Sequence, residues 1–247
     1  MMTMSSTKRN ARVAGLLYLG MAVAAGVAGY ARTVIAVPGD AAATSANIRA
    51  SETLVRVGVA ADLVQATFFL LTAMALFVLL RNVNRLAAGA MVTLVAVSVA
   101  IQVLSLTGEL AALAIATGDG VAASMGQAGA DSLALLAVEL QHDMFVLSQM
   151  FFALWLVPLG YLVIVSGWFP RALGYLLVIA CTFYVVDLFA YFLVPDLESL
   201  VLPLSALSGM VGELLFMAWL LIKGVRAPAG SSDRTGIGSP EGLPASA

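Results

Sequence analysis

The sequence predicts an all-α integral membrane protein: a bundle of six transmembrane helices with the N-terminus and the C-terminus both cytoplasmic. Three observations predict it. The chain is 62% apolar and 11% charged, with a mean hydropathy of +1.02, whereas a soluble domain carries roughly a quarter charged residues. So little polar material cannot give an ordinary core a water-compatible surface. Six apolar runs are each long enough to cross a hydrocarbon layer of about 30 Å, which takes roughly 20 residues at 1.5 Å per residue. Finally, the basic residues gather on one side of those runs.

The elements follow in order. Residues 1–12 form a cytoplasmic segment ahead of a six-helix domain over 13–226. The first span, 13–37, is rich in Ala and Gly and carries Arg32 near its far end. Val37-Pro38-Gly39-Asp40 ends it, because Pro and Gly both oppose helix continuation. The Ala-rich stretch from Ala41 to Glu52 predicts a short helix across the outer mouth, capped by Asp40, with Arg49 reaching acids below it. The second span, 54–80, and the third, 86–116, are separated by Arg81-Asn82-Val83-Asn84-Arg85. A Gly-rich link, Thr117-Gly118-Asp119-Gly120, leads to the fourth span, 132–165, where Pro158 predicts a kink. Ser166-Gly167-Trp168-Phe169-Pro170-Arg171 precedes the fifth, 172–194, and Val194-Pro195-Asp196 precedes the sixth, 200–222. Residues 227–247 turn to Gly, Ser and Pro, the composition of a disordered cytoplasmic tail. Helices are preferred over strands because every backbone amide in lipid needs an internal partner, and these runs lack the alternation of a membrane barrel. A cleaved signal peptide is the alternative for the first span, whose apolar stretch exceeds the usual signal core of about 7–15 residues.

Orientation follows from Lys and Arg. Lys8, Arg9, Arg12, Arg81, Arg85, Arg171, Lys223, Arg226 and Arg234, nine of the 12 basic residues, lie on one side, and the positive-inside rule makes that side cytoplasmic. The net charge of −2, without a basic cluster, points to no nucleic-acid partner. One cysteine, Cys181, excludes an intramolecular disulfide and a Cys-based zinc site. One histidine, His142, excludes multi-histidine metal motifs.

The ionisable residues inside the spans carry the functional expectation, since each costs roughly 2.5–3.5 kcal/mol at a helix centre. Counting 1.5 Å per residue from the basic end places Asp62 about 27 Å, Asp187 about 22 Å and Glu213 about 14 Å into the layer. Glu109, Glu139, His142 and Asp143 count as far out as Asp62 or further, so the acids describe a polar cavity opening outward. Helical spacing groups Asp62, Gln65, Phe69 and Thr72 on one face, and Ser98, Gln102, Ser105 and Glu109 on another. It groups Tyr184, Asp187 and Tyr191 on a third face, and sets Glu139, His142, Asp143 and Gln149 along one side of the fourth span. On the sixth, Ser205, Gly209, Gly212 and Glu213 combine small residues with an acid, a close-packing pattern.

The expected cavity set is therefore Asp62, Gln65, Gln102, Glu109, Glu139, His142, Asp143, Asp187 and Glu213, with Arg32, Arg49 and Arg56 as outer-mouth partners. A structural or binding role ranks first, for a ligand, ion or membrane-protein partner that the residues do not specify beyond the lipid bilayer. Proton- or cation-coupled transport is the alternative from another class. Third stands a metal-dependent intramembrane enzyme, since Glu139-Leu140-Gln141-His142 has the Glu-x-x-His spacing of di-iron bundles. Those sites need two such motifs, so only a single ion held by Glu139, His142 and Asp143 is compatible, and no other cofactor is expected.

Several blocks also resemble a known family. Val37-Pro38-Gly39-Asp40-Ala41-Ala42-Ala43-Thr44-Ser45-Ala46-Asn47-Ile48-Arg49-Ala50-Ser51-Glu52 resembles the signature of an uncharacterised bacterial membrane family, domain of unknown function 4386. Arg12 to Leu19, Arg56 to Leu63, Gly160-Tyr161-Leu162 with Ser166 to Arg171, and Gly212-Glu213-Leu214 before Trp219 to Gly224 are similar to further parts of it. The resemblance spans roughly Arg12 to Val225 and implies a multi-pass protein of the bacterial inner membrane without an assigned activity.

Overall fold

A computed structural model describes residues 4–118 and 124–226. The expected disordered tail, 227–247, and the Asp119-Gly120 part of the third link lie outside the described residues. The described residues form eight helices and no strand: α1 Met4–Ile35, α2 Ala41–Ala50, α3 Glu52–Leu80, α4 Arg85–Ala116, α5 Gly126–Leu154, α6 Leu156–Ser166, α7 Arg171–Leu193 and α8 Pro195–Ile222. Six of the resulting rods are long and apolar enough to cross a membrane, with α5 and α6 together making the fourth. The chain is a multi-pass helical membrane protein.

The boundaries have local causes. Asp40 caps α2, its carboxylate accepting from the Ala43 amide at 2.9 Å, and Asn84 caps α4 through the Ala87 amide at 3.1 Å. The fourth span breaks at Trp155. Pro158 has no N–H to offer the Leu154 carbonyl and its ring crowds that position, so α5 ends at Leu154.

The six spans form a closed ring: α1 packs along α3, α3 along α4, α4 along α5, α6 and α5 against α7, α7 along α8, and α8 returns to α1. Many large apolar side chains face outward, among them Leu16, Leu63, Leu104, Leu147, Phe189 and Leu207, which lipid accommodates and water does not. Inside, two apolar clusters lie at different heights. The larger holds Tyr18, Phe69, Leu76, Met91, Trp155, Leu159, Leu177 and Phe216. Trp155 is its centre, meeting Phe69 edge-on at 5.2 Å and Tyr18 at 6.0 Å. The smaller cluster, Ala31, Ile35, Ile48, Val55, Leu113 and Ala134, lies under α2. Between them along α3, α4 and α5 runs a buried polar layer of Asp62, Gln65, Ser98, Gln102, Ser105, Glu109, Gln141 and Ser148.

Candidate functional site

A cavity of about 540 Å³ opens at the α2 end, between the end of α1, the turn into α2, α4, α5 and α7. Its volume falls within the range of small-molecule sites. Arg32 and Ile35 come from α1, and the turn contributes Val37, Pro38 and Gly39. Glu109 comes from α4, and Tyr191 from α7. Two turns of α5 present Leu135, Val138, Glu139, Gln141, His142 and Asp143.

The floor is Arg32. Its Nη2 donates to both carboxylate oxygens of Asp62, at 2.9 and 3.0 Å, tying α1 to α3 inside the layer. The guanidinium also lies 5.2 Å from the Phe145 ring centroid, so a cation–π contact holds its other side. Beneath it Asp62, Gln65, Gln102 and Ser105 surround a gap without space for a water-sized sphere. The Ser98 hydroxyl donates to the Ser148 carbonyl at 3.2 Å, and Gln102 Nε2 donates to Ser98 Oγ at 3.2 Å, so this layer bonds α4 to α5 and itself.

One wall is made by the crossing of α4 and α5. A Cβ on Gly108 would stand 2.8 Å from the Ala137 carbonyl and 3.0 Å from Gln141 Cβ, so only glycine lets the two backbones approach here. The next residue, Glu109, and Gln141 opposite are thereby fixed beside the cavity, 7% and 4% exposed. Glu109 Oε2 and Gln141 Nε2 are both buried without a hydrogen-bond partner, as is Gln102 Oε1 below. A buried polar atom left unmade costs about 1–3 kcal/mol, more if charged. On the facing wall Tyr191 donates to Asp143 Oδ1 at 2.6 Å and meets the His142 ring edge-on at 5.8 Å. Glu139 and His142 are exposed at the rim.

Of the sequence-predicted set, the structure brings Arg32, Glu109, Glu139, His142 and Asp143 to this cavity and sets Asp62, Gln65 and Gln102 in the closed layer below. Asp187 and Glu213 stand elsewhere. Glu213 accepts from the Tyr18 and Tyr184 hydroxyls, the latter at 3.1 Å, beside a second cleft of about 250 Å³ between α1, α5, α7 and α8. Asp187 accepts from Ser205 at 2.9 Å. Arg56 is exposed and pairs with Glu52 at 3.9 Å on its own helix rather than with an acid of the bundle. Arg49 reaches Asp131 at 3.2 Å, Ser45 at 2.8 Å and the Ala116 carbonyl at 3.4 Å, fastening α2 to α4 and α5. Among the described residues no group of three or more His, Cys, Asp or Glu is placed to hold a metal ion.

Sequence reasoning left Gln141, Asp131 and Tyr18 out of the site, and it grouped Tyr184 and Tyr191 with Asp187 on one face without setting the two tyrosines among the cavity residues. Gln141 was readable: Ala134, Gln141 and Ser148 recur every seven residues, and all three are buried. The Tyr18 pairing had no local signal, since its partner lies 195 residues away.

No solved structure matches the chain. It is 38% identical over 87 residues to an uncharacterized protein of Archaeoglobus fulgidus, a match covering 32% of this chain and 44% of that one. The chain thus spans less than half the length of this relative. The family profile described as Domain of unknown function (DUF4386) matches residues 13–224, nearly the whole helical ring with its cavity, and the chain belongs to that family.

Proposed function

We propose that this protein resides in the bacterial inner membrane with both termini cytoplasmic and binds a small solute, from the outer side, in the α2-end cavity. The observation that carries the reading is the pair of buried, unpartnered atoms, Glu109 Oε2 and Gln141 Nε2, on residues that line a cavity of about 540 Å³. Native proteins satisfy nearly all such groups. Among the described residues Gln102, Trp155 and Trp219 also keep an unpartnered buried atom, and Glu109 and Gln141 are the two of the five that line this cavity. Orientation rests on the basic residues in the first turns of α1 and beyond the ends of α3, α6 and α8. The closed floor favours holding a solute over passing one across: Arg32 is committed to Asp62, and the layer beneath has no water-sized space.

Native mass spectrometry of the protein purified in mild detergent tests this. A bound solute, lost in Val138→Trp because the indole fills the cavity, is the expected result. A solute retained in Val138→Trp, or a bare chain from every preparation, refutes it. A metal adduct lost in His142→Ala would instead assign the cavity to an ion held by Glu139, His142 and Asp143.

A further inference from the structure

The composition of the wall specifies the solute, an inference that rests on the binding reading above. Three carboxyls stand around the void, Glu109 from α4 with Glu139 and Asp143 from α5, against a single guanidinium. That guanidinium's charge is already balanced: its Nη2 donates to both oxygens of Asp62, and the Phe145 ring lies against it. With the Arg32 charge balanced by Asp62, the void meets three carboxyls and the His142 imidazole, an excess of carboxyl oxygen. Carboxyls alone would be only a solvated rim, as exposed Glu139 is. Two further observations point to a ligand. Glu109 is 93% buried by its 7% exposure and Gln141 is 4% exposed, and each keeps one polar atom without a partner. Glu109 Oε2 calls for a donor, and Gln141 Nε2 calls for an acceptor. Ile35, Val37, Pro38, Leu135 and Val138 make the rest of the wall apolar.

We infer that the cavity takes a small organic cation: an amine-bearing solute whose ammonium lies among Glu109, Glu139 and Asp143, with an acceptor atom for Gln141 and an apolar body against Leu135 and Val138. Each alternative class fails on one feature. An anion would enter a low-dielectric pocket beside like charge, where the one guanidinium is already balanced by Asp62. A neutral solute leaves the excess of carboxyls uncompensated. A bare inorganic ion matches neither the apolar wall nor the size of the void, and the described residues offer it no set of three ligands.

The cavity's preference can be read without knowing the natural solute. Val138 is half-buried on the wall, and Cys181 is the one native cysteine. In the full chain carrying Cys181→Ala and Val138→Cys, the thiol is labelled with three methanethiosulfonates of similar size: trimethylammonioethyl, hydroxyethyl and sulfonatoethyl. Rates are normalised to those with a free small thiol. The cationic reagent is expected to react at least tenfold faster than the anionic one, with the neutral reagent between. Glu139→Gln, at an exposed position where folding is not at stake, should cut that ratio severalfold, as should Glu109→Gln. Equal normalised rates for the three reagents overturn the cation preference and leave the cavity standing. No reaction with any reagent, although the denatured protein labels fully, overturns the cavity reading itself and this inference with it. A faster anionic reagent reverses the assignment.

Discussion

Breaking the Arg32–Asp62 pair tests the floor of the cavity and, through it, the whole polar layer. Both Asp62 oxygens accept from one guanidinium nitrogen, at 2.9 and 3.0 Å, and the two side chains are 24% and 9% exposed. Two unit charges about 4 Å apart attract by about 4 kcal/mol at an effective dielectric of 20. Much of that offsets the desolvation of the ions, so the pair's net worth is smaller. Removing one partner is different, because it strands the other: about 3–5 kcal/mol for a fully buried pair. Asp62→Leu leaves Arg32 stranded but a quarter exposed, so we expect the lower end, about 3 kcal/mol. Arg32→Met strands the more buried carboxylate and should cost as much or more. The double variant removes both charges and fills the space with apolar atoms; its expected cost is about 1 kcal/mol or less. The coupling from a double-mutant cycle should then exceed about 2 kcal/mol, well above the roughly 0.6 kcal/mol of an average interhelical polar contact. Reversible unfolding in mixed micelles with SDS, followed by the fluorescence of the three tryptophans, measures it. A coupling at or below about 0.6 kcal/mol would refute the reasoning, because Arg32 and Asp62 would then be acting as independent groups.

Two further predictions concern the edges of the bundle. A Cβ on Gly209 would stand 1.7 Å from the Tyr184 hydroxyl oxygen, so Gly209→Ala must expel that hydroxyl from Glu213; the loss should be about 1–3 kcal/mol, and combining it with Tyr184→Phe should add little, whereas full additivity would separate Gly209 from this bond. Asp131→Asn should release α2 from α5, accelerating hydrogen exchange of the Ala41–Ala50 amides by several-fold. Since the Arg49 side chain is 38% exposed, the pair is worth at most about 1 kcal/mol, and unchanged exchange would leave Asn47 and Thr44 as the fastenings of α2.

The stripes on α3 and α4 were legible in the sequence because a helix fixes direction from spacing alone. Asp62, Gln65, Phe69 and Thr72 are all buried, as are Ser98, Gln102, Ser105 and Glu109. The Asp40 cap and the break near Pro158 were legible for the same reason, being set within one or two turns of chain. The fourth span was harder. Its polar residues occur all round the helix, so periodicity picked out Glu139, His142 and Asp143, which reach the cavity, and passed over Gln141, which is the more buried.

Six apolar runs, their order, their helical character and the inward faces of α3 and α4 followed from the sequence by itself, since lipid tolerates neither unpaired backbone amides nor polar stripes turned outward. Partnership did not. Counting residues along each span spread the acids from the outer edge, at Asp62, to about 14 Å from the basic end, at Glu213, and suggested one continuous cavity. The tertiary structure divides them: Glu109, Glu139 and Asp143 line a void, Asp62 is sealed beneath it by Arg32, Asp187 is held by Ser205, and Glu213 is held by two tyrosines. Depth is a property of one helix and is written in its spacing. Which acid finds a guanidinium, which a hydroxyl and which nothing at all depends on how the spans are rotated and tilted against one another, and only their packing decides that.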